Sequence, residues 1–316
     1  MSAYAVNTWT VSDYIKVGLW GMPKGSLVGL DVTYRCNLRC RHCYFIRQNH
    51  RAELPVNEWL ARFEKMQAEG FPFLICGWIG GEPLLRMELI EKGRHYFKSN
   101  IVFTNGTIPL PDWPEVTFSV SVHGTAEIHS QLTGVDRETY QRIKENASRP
   151  HRKVVVAFCV NRGNYTCIEA MLSEWSHTPI QGIVFEFYTP MKGEDDRLWL
   201  NFEERDRVID LLISLKKSYG EFIHVSDRIL RMMKSENAER ITRDCPFQKI
   251  GLSLDPLGEI KSPCQLGPQA DCQRCGCILP FYSVVLTQRR HLIPEFIQGI
   301  WGRGQKAFRN RAESHK

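Results

Sequence analysis

The sequence predicts an α/β protein: a partial (β/α)6 TIM-like barrel with a small cysteine-rich C-terminal extension. Three observations carry that expectation. Between about residues 27 and 220, short apolar runs alternate with longer amphipathic runs, the pattern of βαβ units on a parallel sheet. Six such units are too few to close an eight-fold barrel, so the sheet is expected to stay open. After residue 240 the alternation gives way to a segment carrying five cysteines.

The elements follow in order. Residues 1–26 form a helical preamble whose Trp9, Tyr14, Val17, Leu19 and Trp20 make a crude apolar stripe. That stripe reads as a helix capping the bottom of the barrel or as a contact face for an apolar ligand. The barrel is assigned to residues 27–225. LVGLDVTY (27–34) is a buried strand that runs into a cysteine loop. VNEWLARFEKMQAEG (56–70) has helical spacing and stops at Gly70. FPFLICGWI (71–79) is a strand ending in GGEP, and 84–99 is a helix. IVFT (101–104) is a strand ending in TNG, and VTFSVSVHG (116–124) is the next. A helix at 138–148, KVVVAFCVN (153–161), a helix near 166–176, GIVFEFYTP (182–190) and a helix at 202–219 complete the series. The cysteine loop, GGEP, TNG and SVHG all lie at the C-terminal ends of strands, where parallel α/β folds place their chemistry. Residues 226–282 form the cysteine-rich extension, with GLSLDP and LGEIKSPC read as a hairpin turning at Pro256–Gly258. Residues 283–316 are a basic tail.

Composition narrows the class. The 316 residues are 43% hydrophobic, enough for a substantial core. No apolar run reaches the length of a membrane span, and no secretory signal pattern opens the chain. A cytoplasmic location is expected, where thiols stay reduced. Eleven cysteines, eight of them in two clusters, then point to metal binding ahead of disulfides. The net charge of +6 is concentrated near the end. It reads as a solvated tail, or as an attraction to an anionic surface. No nucleic-acid partner is expected, and peripheral membrane contact stays open.

The stretch Y-R-C-N-L-R-C-R-H-C-Y-F places Cys36, Cys40 and Cys43 on one loop. Three thiolates can hold three irons of a cubane cluster and leave the fourth iron open to an outside ligand. A structural zinc site wants a fourth ligand, which His42 or His50 can offer, so spacing alone leaves zinc open.

CxxxCxxC after the first strand, GGEP after the second and the βα series behind them resemble the radical S-adenosylmethionine (SAM) superfamily. C-N-L-R-C-R-H-C-Y is similar to the branch that includes heme-synthesis and quinone-cofactor enzymes with auxiliary clusters. The resemblance covers residues 27–280. It implies that Cys36, Cys40 and Cys43 bind a 4Fe–4S cluster whose open iron is chelated by SAM. It implies reductive cleavage of SAM to a 5′-deoxyadenosyl radical, which takes hydrogen from a substrate or adds to it. Gly80, Gly81, Glu82 and Pro83 match the motif whose backbone meets the SAM amino group. Glycine permits that approach, and Glu82 is placed to accept from the ammonium. Thr104 and Asn105 correspond to the strand end that faces SAM. Ser119 and Ser121 share one face of the fourth strand with His123, where SAM ribose or carboxylate contacts are usual. Tyr44 is placed near the adenine. His123 stands where the auxiliary-cluster branch more often has Asp-Gly. Glu186 interrupts an apolar strand and is a substrate candidate or a satisfied structural carboxylate. TNG is equally a plain turn, and the two serines are equally ordinary strand positions. Cys76, Cys159 and Cys167 read as core thiols.

Cys245, Cys264, Cys272, Cys275 and Cys277 suit zinc or an iron–sulfur cluster on spacing alone. Beside a radical SAM core the segment resembles a SPASM or shorter twitch extension. The resemblance implies one auxiliary 4Fe–4S cluster, with four of the five cysteines as ligands. Cys245, Cys264, Cys272 and Cys275 are the first choice and Cys277 the rival. Gly258 to Cys264 is one residue longer than the full SPASM pattern. Only 35 residues precede Cys36, which favours a small-molecule, nucleoside, sugar or lipid substrate over a leader-guided ribosomal peptide. The preamble and the aromatic run after CxxCxC faintly resemble enzymes acting on an isoprenoid lipid. The class implies a low-potential flavodoxin or ferredoxin as electron donor.

Overall fold

The computed structural model of the chain describes residues 9–45, 52–150, 153–193 and 197–287. Its centre is one curled sheet of seven parallel strands forming a half-barrel. The strands are β1 (Leu27–Asp31), β2 (Ile75–Ile79), β3 (Ser99–Thr104), β4 (Thr117–Ser121), β5 (Lys153–Val160), β6 (Ile183–Phe187) and β7 (Gly251–Leu254). Their order is β6-β5-β4-β3-β2-β1-β7.

Alternation along each strand sorts the side chains. Leu30, Trp78, Val102, Phe118, Val120, Val156, Phe158 and Phe185 point outward into one continuous core. The helices α2 (Val56–Ala68), α3 (Met87–Gly93), α4 (Ala126–Thr133), α5 (Arg137–Ala147), α6 (Ile168–Trp175) and α7 (Phe202–Tyr219) surround the strands in sequence. α2 contributes Trp59 and Phe63 to that core, α6 contributes Met171 and Leu172, and α7 contributes Ile209 and Leu212. Each such side chain stabilises the fold by about 1.5–3 kcal/mol on burial. The opposite, concave face carries Gly29, Asp31, Gly77, Ser119, Ser121, Ala157, Cys159 and Glu186. The Gln265 side chain lies over Gly29 and Phe103 packs against Gly77, so these glycines admit neighbouring side chains to that face.

The structure adds a strand to the six expected. The first arm of the expected hairpin, Gly251–Leu254, joins the main sheet in parallel with β1, pairing Leu27 with Gly251 and Leu30 with Leu254. All four of its residues are buried, as a strand covered on both faces requires. The turn does fall at the expected place: the Asp255 side chain accepts from Leu257 and Glu259, and Gly258 adopts φ +73°. The return arm forms no named strand: it meets the first arm through a bridge between Leu254 and Ile260 and through the Lys261 N–H bond to the Ser253 carbonyl at 2.8 Å.

The expected helix at 84–99 is broken into a 3₁₀ turn at Pro83–Arg86, α3 and a second 3₁₀ turn at Arg94–Tyr96. The described extension adds α8 (Asp227–Met232), α9 (Ser235–Arg243), α10 (Phe247–Ile250) and α11 (Leu279–Thr287). The preamble contains α1 (Val11–Trp20), opened by a capping box between Thr10 and Asp13. Trp9 donates to Ser99 and Lys98 pairs with Asp13, so α1 docks where β3 begins, at the N-terminal end of the strands. None of its residues is buried, and Ile15, Leu19 and Trp20 stay exposed.

Candidate active site

The first three strands deliver their C-terminal loops to one rim. Gly81 donates its backbone N–H to the Thr33 carbonyl, and Glu82 donates to Arg35, at 2.9 and 2.8 Å. A Cβ on Gly81 would lie 2.1 Å from the Arg35 oxygen. Glycine is therefore needed for the GGEP turn to lie against the start of the cysteine loop. Glu82 is fully buried. Its carboxylate accepts from Thr104 Oγ1 at 2.7 Å, from the Asn105 backbone N–H at 2.8 Å and from the Leu84 N–H at 3.1 Å. Burial pushes its pKa up and these donors oppose the shift. Glu82 thus ties the end of β2 to the end of β3. Asn105 continues the chain of contacts: its amide reaches Asn37 at 2.8 Å and Cys36 Sγ at 3.9 Å.

Cys36, Cys40 and Cys43 are partly exposed, free thiols. Burial raises the pKa of Cys36 and takes that of Cys40 to about 12, and mutual proximity within the trio adds to both. Thiols so close together would resist shared ionisation unless a cation meets them. A small cavity lies against Tyr34, Cys36, Cys43, Phe45 and Gly81. Among the described residues, no group of three His, Cys, Asp or Glu side chains converges on the scale of one metal ion. A multi-iron cluster separates its ligand sulfurs more widely than one zinc ion does. The open triplet with a cavity beside it therefore fits a cluster with a free coordination position.

The remaining expected residues divide. Ser119 is buried, while Ser121 is half-buried on the same concave face. His123 is buried just beyond β4. Its ring meets His42 edge-on at 4.3 Å, and its Nδ1 accepts from the Cys159 N–H at 3.3 Å. His42, considered from sequence only as a zinc ligand, thus bridges the cysteine loop to β4. Burial lowers its pKa to about 4, and its Nδ1 is buried without a hydrogen-bond partner. His50 lies outside the described residues. Tyr44 faces the C-terminal extension: its ring lies under the Lys261 ammonium at 5.5 Å, and Cys264 and Cys277 are within its electrostatic reach.

Cys76 and Cys167 lie in the core as expected. Cys159 is a correction. The alternation of β5 turns it to the concave face beside Glu186, its register partner on β6. Glu186 accepts from the Ile278 backbone and the Cys277 thiol, with burial raising its pKa. It behaves as a satisfied carboxylate that fastens the extension to β6.

The cysteines of the extension gather against the sheet. Cys245 and Cys264 pack with Leu27, Ile75, Phe247 and Ile250, near the start of β1 and β2. Burial raises Cys245 to about 11 and Cys275 to about 12, and the Cys264 thiol lies within electrostatic reach of both. Cys272 is likewise within reach of Cys245 and Cys264. The Cys275-Gly276-Cys277 strip lies on the end of β6: Phe187 donates to the Gly276 carbonyl at 2.9 Å, and Gly276 donates to Thr189 Oγ1 at 2.8 Å. Asp31 accepts from both Lys261 and Gln265, joining β1 to the residues on either side of Cys264. The sequence carried a signal for this contact: an aspartate inside the apolar run LVGLDV.

Residues 30–162 match the radical SAM superfamily profile. The chain is 26% identical over 215 residues to the Fe-coproporphyrin III synthase of Methanosarcina barkeri, a match covering 63% of this chain and 53% of that one. It is 31% identical over 128 residues to a probable GTP 3′,8-cyclase of Methanopyrus kandleri, covering 39% of each. Among solved structures, Streptococcus suis SuiB bound to S-adenosylmethionine superposes with a TM-score of 0.60 at 13% identity, covering 81% of this chain and 63% of that one. The chain spans about half the length of the first of these relatives. The cysteine triplet and the GGEP turn both lie within residues 30–162, the segment that matches the radical SAM superfamily.

Proposed function

We propose that this chain binds SAM at a 4Fe–4S cluster held by Cys36, Cys40 and Cys43, and cleaves it reductively to act on a small-molecule or lipid substrate. The observation that carries this reading is the convergence of the cysteine loop, Gly81–Glu82 and Thr104–Asn105 through the contacts of Glu82 and Asn105. Loaded, such a site supplies a 5′-deoxyadenosyl radical by one-electron cleavage of the sulfonium bond. The protein's part is placement. Cys36, Cys40 and Cys43 would hold three irons and leave one for SAM. The GGEP turn and Asn105 fix that loop against the ends of β2 and β3. Ser119 and Ser121 offer hydroxyls on the concave wall, with the small Ala157 as register partner of Ser121.

A second, auxiliary cluster belongs to the same reading. Four of Cys245, Cys264, Cys272, Cys275 and Cys277 would hold it, the first four being the first choice; the thiols influence one another, and Cys277 also meets Glu186. Asp31 and Lys261 set that site against β1. A low-potential flavodoxin or ferredoxin is the donor this chemistry requires. The exposed Ile15, Leu19 and Trp20 of α1 support peripheral contact with a lipid surface. No described helix is long and apolar enough to cross a membrane. A peptide substrate is the second reading, favoured by 28% identity over 149 residues to the sporulation killing factor maturation protein of Bacillus subtilis.

The test is anaerobic, iron-loaded protein with SAM, dithionite and candidate substrates. Release of 5′-deoxyadenosine is expected. No release from a protein holding about eight irons contradicts the reading, and zinc in place of iron and sulfide contradicts it earlier.

A further inference from the structure

Arg205 lies on the face of α7 that packs on the sheet, at the spacing of Val208, Ile209 and Leu212, and is only 1% exposed. The Phe187 and Phe202 rings lie 4.9 and 5.4 Å from its guanidinium carbon. Its Nη1 donates to the Cys275 carbonyl at 3.0 Å. Its Nε and Nη2 are buried with no hydrogen-bond partner. The neighbouring Asp206 is occupied elsewhere, by the Ser235 N–H at 2.9 Å and its hydroxyl at 2.5 Å. Among the described residues no carboxylate forms an ion pair with Arg205. A guanidinium stays protonated in proteins, so Arg205 is a buried cation.

A buried charge without a partner costs several kcal/mol, and buried guanidinium groups are normally neutralised. The anion must therefore come from what the site holds. Its ionisable neighbours are Cys275, whose carbonyl it touches, and the adjacent Asp206, which is engaged by Ser235. Four neutral thiols would not answer this need. Four thiolates around an iron–sulfur core carry net negative charge, and more of it once reduced.

We propose that Arg205 is the buried counter-cation of an anionic cluster held at Cys275, and that it raises the reduction potential of that cluster. The inference rests on the auxiliary-cluster reading. Reduction adds one electron from a soluble donor to the cluster. A fixed positive charge in a water-excluded site favours the more negative state. Arg205 is a positioning and tuning residue: it changes how readily the auxiliary cluster accepts an electron, not which atoms react.

The experiment is a redox titration of the holoenzyme followed by electron paramagnetic resonance, on wild type, Arg205→Gln and Arg205→Lys. Arg205→Gln keeps an amide donor toward the Cys275 carbonyl and removes the charge. The expected result is at least a tenfold shift of the auxiliary cluster's equilibrium toward the oxidised form, 59 mV for one electron, with the other cluster unmoved. Arg205→Lys keeps the charge and shifts less. An unchanged potential in fully loaded Arg205→Gln overturns the proposal. So does loss of the auxiliary cluster in both variants, which assigns Arg205 to packing alone. A wild-type chain holding only about four irons overturns the auxiliary-cluster reading itself, before any variant is made.

Discussion

Replacing Gly81 by alanine tests how the rim is held together. The new methyl would lie 2.1 Å from the Arg35 oxygen, 2.5 Å from the Arg35 carbonyl carbon and 3.1 Å from the Cys36 Cβ. The first two are backbone atoms, which cannot turn aside as a side-chain tip can. Either GGEP or the start of the cysteine loop must move. Overpacking of this kind costs about 1–3 kcal/mol. The displacement also breaks the Glu82 N–H bond to Arg35, worth about 0.5–1.5 kcal/mol. Together the loss is about 1.5–4.5 kcal/mol, a large part of the ~5–15 kcal/mol that holds a domain folded. Because Cys36 is the next residue along, the same shift should weaken the first cluster. Urea unfolding and iron content measure the two effects. Gly18→Ala is the control: nothing lies within 4 Å of its Cβ position inside α1, and alanine there should stabilise by about 0.5–1 kcal/mol. A Gly81→Ala protein of unchanged stability and full iron content would refute the claim that GGEP buttresses the cysteine loop.

Other outcomes follow from the same coordinates. In Gly276→Ala the added methyl would meet the Phe187 carbonyl oxygen at 2.2 Å. Iron content should fall by about half while the first cluster survives, and retention of both clusters would contradict the placement of the Cys275–Cys277 strip on β6. The Lys98 ammonium, aided by Thr10, holds the Asp13 carboxyl down at about 2. Its contribution to stability is therefore full above the ordinary carboxylate pKa and is lost as pH falls from about 4 toward 2. Wild type should exceed Asp13→Asn in thermal stability at pH 7, with the gap closing near pH 2, and a constant gap would contradict the pairing.

The barrel was legible because short apolar runs, as in buried parallel strands, alternate with longer segments carrying apolar stripes at helical spacing. Cys36, Cys40, Cys43 and GGEP were legible because their spacing is local. What escaped depended on contacts between distant residues. β7 reads as half of a hairpin because GLSLDP is followed by a turn, and its pairing with β1 lies across the whole chain. The role of Glu82 depends on where β3 ends, which no local pattern reports. Cys159 was assigned to the core from an apolar run, but strand alternation turns it to the concave face opposite Glu186. Arg205 left a signal that could have been read: a cation at the buried spacing of an amphipathic helix. Asp31 left the same kind of signal inside an apolar strand. Both contact the cysteine-rich extension.

The most direct test of the account is SAM cleavage by wild type and by a variant with Cys36, Cys40 and Cys43 all changed to alanine, each anaerobic, iron-loaded and reduced. Wild type should release 5′-deoxyadenosine, detected by mass spectrometry. The variant should release none while keeping about four irons in the extension. Cleavage retained in the variant would contradict the assignment of these three residues.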